Sequence, residues 1–208
     1  MIAVTFALPQ ESRDFIHEMH HSGPAGEFLL GNLGVEEIVV AHTGVGRAAA
    51  EKTVRALLGA YRPRKLFAAG FAGALDPQLK VGDVVERDVV TRDEPAETPA
   101  AKAQLAHETG ARAVDMETSA IAAVCAEAGV PMRIVRAISD TAQAPLPIPF
   151  AESYDLAAQH PRPLAVLRYV LDRPQSAIAL GLFIRDLAKA RASLTRRLLE
   201  LCEDRASE

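Results

Sequence analysis

The segment RAVDMETSAIAAVCAEAGVPMRIVRAISD, residues 112–140, determines the predicted fold. A short apolar strand at its start is followed by an alanine-rich helix over residues 116–128 and a buried-type strand over residues 132–138. Gly129 and Pro131 separate the helix from the second strand, as expected because a glycine commonly ends a helix and a proline commonly follows it. This strand–helix–strand order is typical of an α/β fold.

The same alternation continues on both sides of this segment. Besides the short strand at 112–114, strands are predicted at residues 2–8, 27–30, 37–42 and 65–69, and helices at residues 48–60, 99–109, 163–171 and 176–203. Strands that alternate with helices predict a central, mixed or mostly parallel β-sheet with helices on its faces. We expect one domain over residues 1–208, of which residues 150–208 form a helical C-terminal extension.

The composition excludes several classes of function. The net charge of −4 provides no basic surface that could gather phosphates, so we expect no nucleic-acid partner. The chain has no cationic leader segment and no apolar run of 18 residues, which predicts a cytoplasmic protein with no membrane partner. Zinc-site spacings and a G-x-S-x-G motif are also missing from the sequence, so we expect neither a metal nor a serine nucleophile.

Acidic residues follow three of the predicted strands, and ligands of open α/β sheets bind beyond the carboxyl ends of strands. Glu11 could activate a water as general base, Glu117 could hold sugar hydroxyls, and Asp140 could act as general acid if burial favours its protonated form. Each residue also has a purely structural explanation, because acidic residues stabilise and cap helix N-termini. In that case the glutamates would point to solvent.

A glycine-rich segment, HTGVGRAA at residues 42–49, has the G-x-G-x-x-A pattern of dinucleotide-binding loops. Such a site requires an acid at the end of the next strand, where residues 68–70 read Ala-Ala-Gly. We therefore expect no NAD and no other cofactor. The glycines still allow a ligand to approach the backbone closely.

Taken in order, five segments resemble the nucleoside phosphorylase/nucleosidase superfamily. They are TGVGR at 43–47, GFAG at 70–73, LKVGDVV at 79–85, VDME at 114–117 and RAISD at 136–140. The likeness is strongest to methylthioadenosine/S-adenosylhomocysteine nucleosidases, and residues 98–102 and the C-terminal helices are also similar to the enzyme that cleaves adenosylhopane. The resemblance covers most of residues 1–142. It implies a three-layer fold, a purine nucleoside substrate and a homodimer or larger homo-oligomer.

The resemblance also implies a role for each matching residue. Asp140 would protonate N7 of the purine, Glu117 would hold the ribose hydroxyls, and Glu11 would activate the attacking water. Met116 would pack on the sugar, and Ser139 would orient the aspartate. Further substrate contacts are expected from Asp115, which stands where many members have glutamate, and from Phe71, Ala72, Gly73, Thr43 and Gly44.

The nucleophile is predicted to be water. Cleavage of the C1′–N9 bond needs an acid at the leaving base and a nucleophile on the opposite face of the sugar. The family's phosphorylases carry an arginine near the position of residues 68–71, and this chain has none there. A carboxylate at Glu11 would repel phosphate, which favours an N-glycosidase. Two alternatives remain: a phosphorylase, to which Arg47 could contribute one phosphate contact, and a catalytically inactive nucleoside-binding protein.

The match is interrupted between Val85 and Thr91. Members of the family have several dozen residues at this point, including part of the sheet, whereas this chain has only residues 86–90. Removing sheet strands would expose core, so we expect that a stretch is missing from the sequence rather than that the enzyme is shortened. If the shortening is real, the binding pocket could be incomplete.

Overall fold

The computed structural model describes residues 1–203. Its strands are β1 (Ile2–Phe6), β2 (His20–Ala25), β3 (Phe28–Leu33), β4 (Glu36–His42), β5 (Leu66–Ala74), β6 (Val84–Val85), β7 (Val89–Thr91), β8 (Ala113–Asp115), β9 (Met132–Asp140), β10 (Tyr154–Asp155) and β11 (His160–Pro161). Its helices are α1 (Pro9–Glu18), α2 (Arg47–Ala60), α3 (Pro99–Thr109), α4 (Thr118–Ala128), α5 (Phe150–Ser153), α6 (Pro163–Asp172) and α7 (Ser176–Glu203).

The central sheet is mixed, as predicted. Strands β4, β1, β5 and β9 run parallel to one another, and β2 and β3 extend the sheet in antiparallel fashion beyond β4. Strand β5 is long enough to pair with β9 over most of its length and with β8 at its end. All five residues of β1 are buried, as expected for a parallel strand covered on both faces.

Helices cover both faces of the sheet and produce three layers. On one face, Phe15 of α1, Leu194 of α7 and Phe67 of β5 belong to the same buried cluster. On the other face, Leu57 of α2 and Ile121 of α4 belong to a second buried cluster. Neighbouring residues of a strand point to opposite faces, so each inner strand contributes to both clusters.

Two strands continue further than the sequence predicts. Strand β5 does not end at residue 69 but runs through the glycine-containing stretch to Ala74, and β9 continues to Asp140. Glycine weakens a strand in general, yet here the two strands pair throughout this region and hold it extended. Strand β2 was not predicted, because its six residues lack an apolar alternation. The predicted helix at 116–128 begins at Thr118, which leaves Met116 and Glu117 in the turn after β8.

A very short connection, residues 86–88, joins β6 to β7. Strand β6 pairs with β9, and β7 pairs with β8, so both strands remain in the sheet. The backbone carbonyl of Asp88 accepts a hydrogen bond of 2.8 Å from the Arg112 amide. Val85 is buried. From the sequence we expected that a loss of strands here would expose core, but the short connection leaves Val85 buried.

The C-terminal part of the chain consists mainly of helices α6 and α7, and its first residues lie at the surface of the protein. Helix α6 has no buried residue, and the buried residues of α7 begin at Ala190. The second half of α7 packs on the sheet, whereas its first half and α6 project beside the carboxyl ends of the strands. Within residues 1–203, no helix combines the length and the apolarity that crossing a membrane requires.

Candidate active site

Segments from four strand ends converge on a cavity of about 190 Å³. Its lining includes Leu8 and Glu11 after β1, Phe71, Ala72 and Gly73 in β5, Asp115, Met116 and Glu117 at the end of β8, and Ser139 and Asp140 at the end of β9. This position, beyond the carboxyl ends of the parallel strands, is where open α/β sheets bind their ligands. The three acids that the sequence singled out therefore line one cavity.

Glu11 lies in the first turn of α1 and is buried. Its two carboxylate oxygens accept hydrogen bonds of 3.0 Å each from the backbone amides of Leu8 and Phe71. Burial raises the pKa of Glu11, while these hydrogen bonds and the charge of Arg136 act in the opposite direction. The alternative of an exposed first-turn glutamate does not describe this residue.

Arg136 is the centre of a buried charge cluster. Only 1% of this residue is exposed, and its guanidinium nitrogen Nη2 lies 2.6 Å from a carboxylate oxygen of Asp115 and 3.7 Å from one of Glu117. Asp115 also accepts hydrogen bonds from the side chains of Thr91 and Thr118. Asp115 is thus fully occupied in holding Arg136 and the turn before α4.

Sequence reasoning did not assign a role to Arg136. A signal was present nevertheless, since an arginine inside a strand of the buried type must be paired with acids to offset its desolvation. The acids nearest to it in the structure are Asp115 of β8 and Glu117 in the turn that follows, which lie 21 and 19 residues earlier in the chain.

Glu117 faces the cavity rather than solvent. Its Oε1 accepts a hydrogen bond of 2.9 Å from the amide of Gly46. Burial raises the pKa of Glu117 to about 7, with contributions in the same direction from Asp115 and Glu11 and a contribution in the opposite direction from Arg136. In its ionised form, the carboxylate of Glu117 can accept hydrogen bonds from a vicinal diol such as that of ribose.

A glycine is required beside this cluster. Gly70 has a φ of +151°, and a Cβ at this position would lie 2.4 Å from a guanidinium nitrogen of Arg136 and 3.2 Å from Glu11. Any larger residue would displace Arg136 from its place among the three acids. The lack of a side chain at Gly70, in the GFAG segment, therefore leaves the space that Arg136 and Glu11 occupy.

Asp140 is held from two sides. The Ser139 hydroxyl donates a hydrogen bond of 2.6 Å to its Oδ1, and the Lys102 ammonium donates one of 2.5 Å to its Oδ2. Lys102 is 99% buried and donates its remaining hydrogen bonds, both 2.8 Å, to the carbonyls of Thr141 and Ala144. All three ammonium protons are therefore in use, and two charge-assisted contacts define the orientation of the carboxyl group.

Lys102, like Arg136, is a residue of the site whose role was not predicted from the sequence. It lies within the 98–102 segment, but the sequence of α3 does not distinguish an exposed lysine from a buried one. Its partner lies 38 residues away on β9, so only the packing of α3 against the end of that strand reveals the pair.

Three residues expected to contact substrate or phosphate do not line the cavity. The Thr43 hydroxyl donates a hydrogen bond of 2.8 Å to the carbonyl of Gly44. Gly44 itself lies so close to Gln159 that a Cβ there would be 2.5 Å from the side-chain oxygen of Gln159. Arg47 is half-exposed and contacts Asp93 at 3.3 Å and the carbonyl of Thr91 at 2.8 Å. The glycine loop contributes to the site through the Gly46 amide on Glu117 instead.

The charged residues that line the cavity are all acidic. Four acidic residues line the cavity, Glu11, Asp115, Glu117 and Asp140, and no lysine or arginine is among the lining residues within the described chain. The positive charges of Arg136 and Lys102 lie behind the lining and are paired with these acids. A dianion in this cavity would meet repulsion without a compensating partner.

A second, apolar cavity of about 690 Å³ adjoins the first. The two share the lining residues Leu8, Phe71, Ser139, Asp140, Leu146 and Phe150. Its far wall is apolar and consists of Val166 in α6 with Leu180, Phe183 and Leu187 in α7. A volume of this size lies within the range of roughly 300–1,000 Å³ that is typical of small-molecule sites.

Comparison with known proteins places this arrangement in a family. The model of the Phosphorylase superfamily matches residues 1–88 and 86–171. The two matched segments meet at residues 86–88, the connection between β6 and β7.

Individual proteins agree with that match. The chain is 28% identical to a 5'-methylthioadenosine/S-adenosylhomocysteine nucleosidase of Tolumonas auensis over 202 residues, covering 71% of this chain and 88% of the relative. It is 29% identical to a protein of the same description from Bacillus thuringiensis over 216 residues, covering 76% and 94%. The structure of a 5'-methylthioadenosine/S-adenosylhomocysteine nucleosidase from S. pneumoniae with a transition-state inhibitor superimposes with a TM-score of 0.73 at 16% identity, covering 97% of this chain and 98% of that one.

Proposed function

The chain belongs to the Phosphorylase superfamily, and from this premise we propose that it is a purine-nucleoside N-glycosidase that cleaves the C1′–N9 bond with water. The observation that carries the proposal is the acidic lining of the cavity, which includes four acidic residues and no lysine or arginine among the described residues. Water is neutral and can be activated by a carboxylate, whereas phosphate would be repelled. The relatives named nucleosidases support the same reaction.

Glu11 and Asp140 take the two acid–base roles of this reaction. Glu11 accepts a proton from the water that attacks C1′, and Asp140 donates a proton to N7 of the departing purine. Glu117 holds the ribose hydroxyls, with Met116 against the sugar. Positive charge that develops on the ribose is stabilised by the surrounding carboxylates.

Lys102 acts through Asp140 as a positioning residue. When Asp140 gives up its proton it becomes a carboxylate, and the Lys102 ammonium and the Ser139 hydroxyl already donate hydrogen bonds to its two oxygens. These contacts strengthen as negative charge develops on Asp140. They therefore stabilise the transition state more than the ground state, which is the condition for a contribution to kcat.

The reaction is tested by incubating the protein with adenosine, inosine and 5'-methylthioadenosine in phosphate-free buffer and in buffer with phosphate. We expect free base and free sugar in both buffers, at similar rates. Product that forms only with phosphate, as a sugar 1-phosphate, would establish the phosphorylase instead. Thermal stabilisation by nucleosides without any turnover would establish an inactive binding protein.

The apolar cavity supports a nucleoside that carries a large apolar 5′ substituent. The base and the ribose have polar edges that match the acids of the smaller cavity, so the apolar space beside Leu8 and Phe150 is left for the 5′ group. We expect kcat/KM to rise from adenosine through 5'-methylthioadenosine to 5'-octylthioadenosine, by up to about fourfold for each methylene that is buried.

Substitution in the far wall of the apolar cavity provides the control. Phe183→Asp should remove the advantage of the octylthio substrate and leave the cleavage of adenosine unchanged. If kcat/KM does not depend on chain length, or if the substitution affects all substrates equally, the 5′ group lies elsewhere.

A further inference from the structure

Helix α6 and the first half of α7 are apolar on two faces. Their inner face, which includes Val166 and Phe183, lines the apolar cavity. Their outer face also carries large apolar side chains, and these are exposed: Leu164, Leu167, Leu171, Ile178 and Leu182. A helix that is apolar all round is normally buried on all sides. The outer face is therefore a surface without a partner in the described chain.

The exposed side chains form continuous stripes. Leu164, Leu167 and Leu171 follow one another at helical spacing along one side of α6, and Ile178 and Leu182 do the same on α7. Leu164 is 80% exposed, Leu171 72% and Ile178 75%. Scattered apolar residues are normal on protein surfaces, but grouped ones mark a site of interaction.

The charge of this region is opposite to that of the whole chain. Residues 163–189 contain four basic residues and two acidic ones, a formal charge of +2, within a chain of net charge −4. The basic residues are Arg168, Arg173, Arg185 and Lys189. Arg162, directly before them, is not counted because it forms an ion pair of 2.7 Å with Asp155. Apolar stripes accompanied by basic residues are the pattern of helices that lie in the interface of a membrane with anionic lipids.

We propose that α6 and residues 176–187 of α7 dock on a membrane surface that contains anionic phospholipids. The leucines of α6 and Ile178 of α7 would enter the interface, and the basic side chains around them would contact the lipid phosphates. Interfacial helices lie on the bilayer without spanning it, so this surface is distinct from a membrane-spanning helix, of which residues 1–203 contain none. The proposal does not depend on the reaction.

A second copy of the chain fits this surface less well. A symmetric dimer would place the same patch of both protomers face to face, and each patch carries a formal charge of +2. Like charges opposed across an interface are unfavourable. An anionic lipid surface has the complementary charge.

Flotation of the full chain with lipid vesicles tests the proposal. The protein should float with vesicles of phosphatidylcholine and phosphatidylglycerol, more weakly with phosphatidylcholine alone, and more weakly at 1 M than at 0.1 M salt, because the screening length falls from about 10 Å to about 3 Å. The double variant L164E/L171E should bind the anionic vesicles at least about tenfold more weakly, because two leucine side chains no longer enter the interface.

The control variant is Val35→Glu, which changes an equally exposed apolar residue, 81% exposed, in the turn between β3 and β4. It should float like the wild-type protein, and both variants should cleave adenosine normally if the chain is a nucleosidase. Wild-type protein that does not float with anionic vesicles overturns the proposal. So does a wild-type dimer in light scattering that becomes a monomer in L164E/L171E without any vesicle binding, since a second copy would then cover the surface. Because flotation needs no substrate, its outcome is independent of whether the reaction is correctly assigned.

Discussion

Asp140→Asn is expected to lower kcat for purine nucleosides by about 10²–10⁴-fold, the usual contribution of a general acid. Asparagine has nearly the same size, and its side-chain oxygen can still accept a hydrogen bond from Lys102 or Ser139. Asparagine has no acidic proton to transfer to N7. The fold and nucleoside binding should therefore persist, which circular dichroism and calorimetric titration with a nucleoside would verify, while steady-state kinetics measure the loss.

A substrate whose leaving group needs no proton separates the chemistry of Asp140 from a general effect on the site. Cleavage of 4-nitrophenyl β-D-riboside should be almost unaffected in Asp140→Asn. Lys102→Met should follow the same pattern more weakly, with a loss of about 10–10²-fold for purine nucleosides, because it removes one hydrogen bond between charged groups. Lys52→Met, an exposed lysine of α2, is the control. A near-normal kcat in Asp140→Asn would reject the assignment of the acid.

In the double variant of Asp140 and Lys102, the two losses should not multiply, since Lys102 acts only through Asp140. If Lys102→Met instead slowed both kinds of substrate equally, Lys102 would have a structural role alone. This comparison requires no knowledge of the natural substrate.

Glu11→Gln is expected to lower kcat by about 10²–10⁴-fold, because the water would lose its general base. The carboxylate accepts hydrogen bonds from two backbone amides, and a glutamine can accept only through its single oxygen. Calorimetry should show that nucleosides still bind. Glu18→Gln, at the exposed end of α1, should behave as wild type.

The raised pKa of Glu11 also predicts how the activity of the wild-type protein depends on pH. Burial raises the pKa of Glu11, and the base acts only in its ionised form. Activity should therefore fall as the pH decreases through the raised pKa, beginning at a higher pH than for an ordinary glutamate. An acid limb of kcat/KM that stays within the usual range of carboxyl groups, or unchanged hydrolysis by Glu11→Gln, would identify a different base.

Much of the fold could be predicted because local signals mark its elements. The predicted helix at 99–109 coincides with α3, since Pro99 stands in its first turn and Gly110 ends it in the left-handed conformation. The continuation of β5 through Gly70 was not predictable from local preference. Pairing with β9 holds that stretch extended, and pairing is a property of distant residues.

The amino-acid sequence alone was enough to predict the α/β alternation, the resemblance to a family, and the placement of Glu11, Glu117 and Asp140 after strands whose ends meet. These features depend on residue type and on spacing within single elements, which a linear sequence displays. The positions of Arg136 among the acids and of Lys102 against Asp140 became known only from the three-dimensional packing. Both charges are buried, and the partner that stabilises a buried charge is chosen by the packing of remote elements, which no local pattern encodes.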